Sequence, residues 1–184
     1  SKRANIKKTE LSLVICSKCF LVQLNRNYNL KYLYNPDYGY RTGINKTMTK
    51  HMNDIKKILS RKSKLISGDY VLDIASNDAT LLNRYNKNIV KVGIDPLVNK
   101  YIKYYKKIDY KISDFFPSNK IFKKRIKNKF KIITALSVFY DAKDPNQFLK
   151  NVNKLLKEDG IFLVEHADLL SIIKLKMFDT ICHE

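Results

Sequence analysis

Tyr70-Val-Leu-Asp-Ile-Ala-Ser-Asn-Asp-Ala79, followed by Val90-Lys-Val-Gly-Ile-Asp-Pro96, decides how this chain folds. Each stretch starts as a short apolar run containing β-branched residues and leads to a carboxylate, Asp73 in the first and Asp95 in the second. The interval between the two carboxylates, about 20 residues, holds a strand, a tight turn, a helix and a second strand in a nucleotide-binding βαβ unit. An acidic side chain ending the second strand is placed to accept hydrogen bonds from both hydroxyls of a ribose. A plain βαβ unit with a solvated aspartate at each strand end has the same spacing, so spacing alone leaves both readings open.

Outward from this unit the pattern keeps alternating. Strands are expected near 70–74, 90–94, 109–112, 130–136 and 160–165. Helices are expected near 79–86, 97–106, 120–127, 145–157 and 168–176. Asp144-Pro-Asn-Gln starts the fourth of these with a cap and a proline at the first helical position. Glu158-Asp159-Gly160 is read as its end, with the glycine in a left-handed turn. Such alternation predicts a parallel sheet with helices on both faces. Ahead of it, a helix is expected from Lys46 to Leu65, where Met48, Met52, Ile55 and Leu59 form one apolar stripe suited to core packing.

Bulk composition narrows the classes. A chain of 184 residues, 45% hydrophobic, can bury one substantial core and a small appendage. No apolar run approaches the length of a bilayer-spanning helix, and the basic start has no apolar segment of a secretory signal behind it. A cytoplasmic protein without membrane association is therefore expected. The net charge of +19 raises a nucleic-acid reading. Yet the charge is mostly lysine, scattered among Asn, Ile and Tyr as AT-rich coding would favour. The local cluster of Lys123, Lys124, Arg125, Lys127 and Lys129 fits the solvent face of a helix as well as a phosphate patch. Starting at Ser1 and stopping at His183-Glu184, the chain is expected to be a piece of a longer protein.

Residues 1–45 read as a separate segment and 46–184 as the main domain. Leu11–Cys16 and Phe20–Leu24 are two short apolar strands, joined by Cys16-Ser-Lys-Cys19 in the form of a zinc knuckle. A structural zinc site has four ligands. Cys16 and Cys19 supply two; His51 is a candidate third, or an ordinary hydrogen-bonded helical histidine; an upstream cysteine pair would complete the set. Three cysteines do not make a disulfide framework.

Taken in order, several motifs resemble the class I S-adenosylmethionine-dependent methyltransferases, and among them the sugar C-methyltransferases acting on nucleotide-linked keto-deoxysugars. They are Cys16-Ser-Lys-Cys-Phe-Leu-Val-Gln-Leu24, Tyr38-Gly-Tyr-Arg-Thr-Gly43 with His51, and Asp73-Ile-Ala-Ser-Asn-Asp-Ala79. Gly93-Ile-Asp-Pro96, Asp114-Phe-Phe116 and Phe178-Asp-Thr-Ile-Cys-His-Glu184 follow. The resemblance implies an α/β, Rossmann-like methyltransferase sheet, mostly parallel, preceded by a zinc-knuckle-like hairpin. It also implies that a C-terminal sugar-holding domain and the last two strands of the usual sheet lie outside this chain.

The same resemblance implies roles for residues. The loop Ala75, Ser76, Asn77 and Asp78, entered from Asp73, would approach the methionine part of S-adenosyl-L-methionine. Asp95, with Pro96 beside it, would hold the ribose hydroxyls. Asp114 would accept from the adenine amino group, with Phe115 near the ring, and Ser137 would lie in the segment lining the other side. Carbon next to a ketone becomes nucleophilic only after a base removes its proton, with donors to stabilise the oxyanion. The matching positions are His183 and Glu184 of a His-Glu-His type motif, and Tyr40; His166 after Glu165 is a second candidate. Family members carry glycine where this chain has Ala75 and Ala79, so a left-handed turn here would cost about 1 kcal/mol per alanine. Two further readings follow: a catalytically inactive methyltransferase-like binding module, and, ranked last, a nucleic-acid binder or modifier.

Overall fold

The structure, a computed structural model, describes residues 12–26, 29–123, 126 and 128–177. They fall into two compact units, one spanning Leu30–His166 and the other drawn from the residues up to Asn29 and from Ala167 onward.

In the smaller unit β1 (Leu13–Ile15) pairs antiparallel with β2 (Val22–Leu24), Leu13 opposite Leu24 and Ile15 opposite Val22. The turn closes through Phe20 N–H on Cys16 O (2.8 Å) and Cys16 N–H on Leu21 O (2.9 Å). The hairpin expected around the two cysteines is therefore present.

The larger unit opens with α1 (Leu30–Leu33) and a tyrosine-rich loop leading to α2 (Lys46–Lys62). Asn45 starts α2 because its carboxamide oxygen accepts the otherwise unpaired N–H groups of Thr47 and Met48. Met52, Ile55 and Leu59 are its buried face, as the stripe predicts. The helix stops three residues short of Leu65, with Lys64 in a left-handed conformation.

Five strands then form one sheet: β3 (Tyr70–Ile74), β4 (Val90–Ile94), β5 (Tyr110–Ile112), β6 (Phe130–Leu136) and β7 (Leu156–Glu165). The order is β5-β4-β3-β6-β7 and every pairing is parallel. Alternate side chains face opposite ways. Val71 and Ile132 pack with Met52, Ile55 and Leu59 of α2, whereas Leu72, Ile74, Ile133 and Ala135 pack with Phe148 and Val152. The latter two belong to α4 (Pro145–Leu155), so helices cover both faces as expected. Each buried aliphatic or aromatic side chain contributes about 1.5–3 kcal/mol, which makes these two layers the main stabilising term.

Three expectations are corrected. Segments 79–86 and 97–106 are not α-helices; each is a chain of turns with one 3-10 turn, Leu82–Arg84 and Ile102–Tyr104. Ala79 is left-handed, a conformation that cannot start a right-handed helix, and the Asp78 carboxylate ties up Thr80 N–H in a local turn. Glu158-Asp159-Gly160 does not end a helix, since α4 closes at Leu155 and these residues lie inside β7. Tertiary partners override the cap signal: Lys131 pairs with Asp159, and Lys157 Nζ with Asp69 Oδ1 at 2.8 Å. Gly160 allows a close approach instead, because a Cβ there would lie 2.9 Å from Leu156 Cγ and from Lys157 O. The third expected helix is confined to α3 (Asn119–Lys123); Lys124, Arg125 and Lys127 lie outside the described residues. In the smaller unit α5 (Leu169–Leu175) is capped by Asp168, which accepts from Ser171 N–H. No helix among the described residues is long and apolar enough to cross a membrane.

Candidate functional site

Strand order reverses between β3 and β6, which opens a crevice at the carboxyl edge of the sheet, where ligands of this architecture sit. The loops leaving β3, β4, β5 and β6 converge on that edge and carry most of the residues singled out from the sequence.

The loop after β3 is held in an unusual backbone state. Ala75, Asn77 and Ala79 have φ of 57°, 47° and 57°. Only glycine, and less readily asparagine, adopts this region at low cost. The left-handed turn on which the two alanines were expected to bear is therefore there. What fixes it is a set of long-range hydrogen bonds. Ala75 N–H donates to Ile94 O (2.8 Å), and Asn77 N–H donates to Asp95 Oδ2 (2.9 Å). Ser76 Oγ and Tyr105 OH lie 2.8 Å apart, and Tyr105 OH donates to Asn77 O (2.7 Å).

A second strap crosses the loop from the tyrosine-rich segment. Thr42 N–H donates to Asn77 Oδ1 (3.0 Å) and Gly43 N–H to Asp78 Oδ2 (3.0 Å). Asp78 also accepts from Thr80 Oγ1 (2.5 Å) and faces Arg41, so its buried carboxylate stitches the loop to the strap. Arg41 in turn stacks over Tyr104 at 4.3 Å. Tyr40 is exposed, and its carbonyl accepts from Tyr101 OH (2.9 Å). Burial, with electrostatic contributions from Tyr40, Asp141 and Asp95, pushes the Tyr38 phenol above its usual range.

Asp95 ends β4 as the spacing requires. Its Oδ1 accepts Leu97 N–H (2.6 Å) and its Oδ2 accepts Asn77 N–H, with no cation paired to it among the described residues. Burial pushes its carboxyl up to about 6, partly offset by those two donors. Each oxygen keeps a lone pair for a further donor. Asp73 is deeper: burial raises it to about 7, a hydrogen bond from Thr134 Oγ1 (2.6 Å) works the other way, and the Asp95 charge adds to the rise. It is a buried anchor between β3 and β6.

Asp114 lies beyond β5. Burial raises its carboxyl, but donors from Ser118 Oγ (2.7 Å), Lys120 Nζ (3.1 Å) and Phe115 N–H (2.9 Å) prevail and hold it below the usual range. Pro96 O accepts from Ser113 Oγ (3.3 Å), which ties the β4 and β5 loops together. Phe116 and Phe139 both pack edge-on against Phe148, at 4.7 and 5.3 Å between centroids, as core aromatics. Ser137, after β6, is exposed and left-handed (φ 50°), and donates its N–H to Glu165 O (3.0 Å).

His183 and Glu184 lie outside the described residues. His166 packs edge-on against Tyr140 and Phe139. His51 is engaged by Glu165, Nε2 to Oε2 at 2.5 Å, an arrangement no local pattern announces because the partners come from α2 and β7. Cys16 is part-buried and Cys19 exposed, and backbone N–H groups at Cys19 and Lys18 lower the Cys16 thiol. Among the described residues no three His, Cys, Asp or Glu side chains are grouped to hold a metal. The two thiols therefore do not make a zinc site by themselves.

The crevice, the left-handed loop and the carboxylate at the end of β4 define a Rossmann-like methyltransferase fold. The methyltransferase domain family matches residues 37–180, and the chain belongs to it. It is 25% identical over 181 residues to the C-methyltransferase NovU of Streptomyces niveus, a match covering 95% of this chain and 42% of that protein. The chain thus spans less than half the length of that curated relative. Among solved structures it superposes on the plantazolicin methyltransferase BpumL in complex with a pentazolic desmethylPZN analog and SAH. That match has a TM-score of 0.56 and 16% identity, over 70% of this chain and 51% of that one. It also superposes on an S-adenosylmethionine-dependent methyltransferase from Clostridium acetobutylicum, with a TM-score of 0.54, 18% identity, and coverage of 79% and 58%.

Proposed function

We propose that the chain is the cofactor-binding part of an S-adenosylmethionine-dependent methyltransferase that methylates carbon on a nucleotide-linked keto-deoxysugar. The observation that carries this reading is Asp95: a buried carboxylate with no cation partner among the described residues, at the end of β4, facing the loop after β3. That acceptor fits a nucleoside, because a ribose offers two hydroxyl donors to a carboxylate that backbone N–H groups have already oriented. The ordered sequence motifs and the similarity to a protein named a C-methyltransferase support the finer assignment.

In this reading Asp95 takes the ribose hydroxyls, Asp114 the adenine amino group with Phe115 against the ring, and Ala75 to Asp78 present backbone groups to the methionine end. Ser137 lines the opposite wall. When bound, S-adenosylmethionine supplies an electrophilic methyl group. The chain's residues must orient the acceptor in line with it, exclude water, and remove the proton next to the acceptor ketone. The family pattern assigns the last task to the region of His183 and Glu184, with Tyr40 assisting. Cys16 and Cys19 would supply half of a zinc site in the full-length protein, with no part in the reaction.

A second reading, a binding module without catalysis, is favoured by the left-handed Ala75 and Ala79 at glycine positions of the family. The +19 charge is the basis for a nucleic-acid reading, which no observation of the site favours. Isothermal calorimetry with S-adenosylhomocysteine tests the first two. The proposal expects saturable heat, and no heat at millimolar ligand refutes it. Binding that appears only in an Ala75→Gly, Ala79→Gly protein identifies the inactive module.

A further inference from the structure

Among the described residues Tyr105 is the largest side chain fully withdrawn from solvent, and its ring carries a hydroxyl that packing does not require. A buried phenol needs a partner, whereas a phenylalanine would fill much the same space without one. Tyr105 follows the 3-10 turn Ile102–Tyr104; its N–H donates to Ile102 O (3.1 Å) and its carbonyl accepts Ile108 N–H (3.1 Å). Both partners of the hydroxyl lie elsewhere, in the loop after β3.

The hydroxyl has one hydrogen, which goes to Asn77 O at 2.7 Å. Ser76 Oγ, 2.8 Å away, is therefore the donor to the phenol oxygen. Burial pushes the phenol well above its usual range, so it stays protonated and keeps its donor at any working pH. Tyr105 thus grips two consecutive residues, Ser76 by its side chain and Asn77 by its carbonyl. They lie between Ala75 and Ala79, and Ala79 N–H closes the turn on Ser76 O (2.7 Å). Gly93, inside β4, leaves room for this reach. A Cβ there would lie 2.8 Å from Ser76 Oγ and 2.9 Å from Tyr105 Cε1, so a side chain would wedge the pair apart.

The loop needs such a grip because of its alanines. With φ of 57°, Ala75 and Ala79 each hold a conformation that a Cβ disfavours. Released, an alanine returns to negative φ, whereas glycine adopts either hand about as readily. A loop only fractionally in its binding form weakens the apparent affinity by that fraction.

Resting on the methyltransferase reading above, we propose that Tyr105 is a positioning residue for the cofactor. Seated against Gly93, it clamps Ser76 and Asn77 so that a loop with alanines at 75 and 79 stands in its binding form before any ligand arrives. The clamp does for this loop what glycine does where the backbone turns left freely. It acts through the loop and not by contact with the cofactor. Gly93 serves it by giving space to a ring, not by backbone freedom.

The test is calorimetry with S-adenosylhomocysteine on the protein at its natural length. It compares wild type, Tyr105→Phe, Ala75→Gly with Ala79→Gly, and all three changes together. Tyr105→Phe keeps the ring and should bind about 10-fold more weakly, the net worth of about two hydrogen bonds. In the glycine background the same change should cost less than about threefold, because the loop stays mostly in its binding form. A tyrosine that merely filled the core would show no such rescue, since glycines do not repair a weakened core. An equal loss in both backgrounds, or no loss in either, overturns the proposal and leaves the methyltransferase reading intact. Binding that requires the glycines while Tyr105 is present also overturns it, because the clamp then fails to hold the alanines. If no protein binds, the methyltransferase reading fails and NMR of the ligand-free loop decides the clamp. Ala75 and Ala79 should give the strong intraresidue amide-to-Hα cross-peaks of positive φ in wild type and weak ones in Tyr105→Phe. Peaks that are strong in both proteins, or weak in both, refute the clamp.

Discussion

Replacing Asp95 with asparagine should strengthen the empty fold at alkaline pH while weakening the site. The carboxyl is raised from 3.8 to about 6 by burial, which penalises the ionised folded state by about 3 kcal/mol. Between those two values the folded protein holds a proton that the unfolded chain has released, so stability falls as pH rises through that window. Asparagine removes this term. It also leaves one of the two backbone donors, Asn77 N–H or Leu97 N–H, facing an amide NH2, a pH-independent cost of about 1–3 kcal/mol. The stability of Asp95→Asn relative to wild type should therefore improve by about 2.5 kcal/mol between pH 4 and pH 8. Loss of the Asp95 charge also eases ionisation of Asp73, which adds in the same direction. Urea titrations at the two pH values, compared at constant m, measure the difference. Calorimetry should meanwhile show S-adenosylhomocysteine binding about 100-fold weaker, as loss of charge-assisted bonds to two hydroxyls predicts. Stability curves that run parallel within about 0.5 kcal/mol would show that Asp95 is not desolvated, and the reasoning would fail.

Two other substitutions probe the scaffold of the site. Gly43→Ala would bring a Cβ within 2.6 Å of Asp78 Oδ2 and 2.8 Å of Thr80 Oγ1, so the strap over the cofactor loop must shift. A loss of about 2 kcal/mol in thermal unfolding is expected, and an unchanged Tm would show that the loop yields freely. Thr134→Val removes the 2.6 Å hydrogen bond to Asp73 and should cost about 1–3 kcal/mol. That bond favours the charged form of a carboxyl raised to about 7, so the cost should be larger at pH 8.5 than at pH 5.5. Equal costs at both pH values, measured by urea titration, would remove Asp73 from the explanation.

The sequence by itself determined the strands, because a buried parallel strand needs a mostly apolar run, and Tyr70–Ile74, Val90–Ile94 and Phe130–Leu136 have one, interrupted by polar side chains only at Asp73, Lys91, Lys131 and Thr134. It determined α2 and the start of α4, where Asn45 and Asp144 cap the first turn through bonds a few residues away. It also determined where Asp95 falls, directly after the apolar run that becomes β4. Only the tertiary structure decided the rest. Leu156–Gly160 became strand because β6 and Asp69 offered partners that a helix end lacked. Residues 79–86 lost their helix to a loop pinned by Asp95, Gly43 and Tyr105, each far away along the chain. His51 and Glu165, 114 positions apart, meet only when α2 packs on the sheet. Contacts of that range leave no periodicity in the chain, because they are fixed by packing and not by any neighbouring residue.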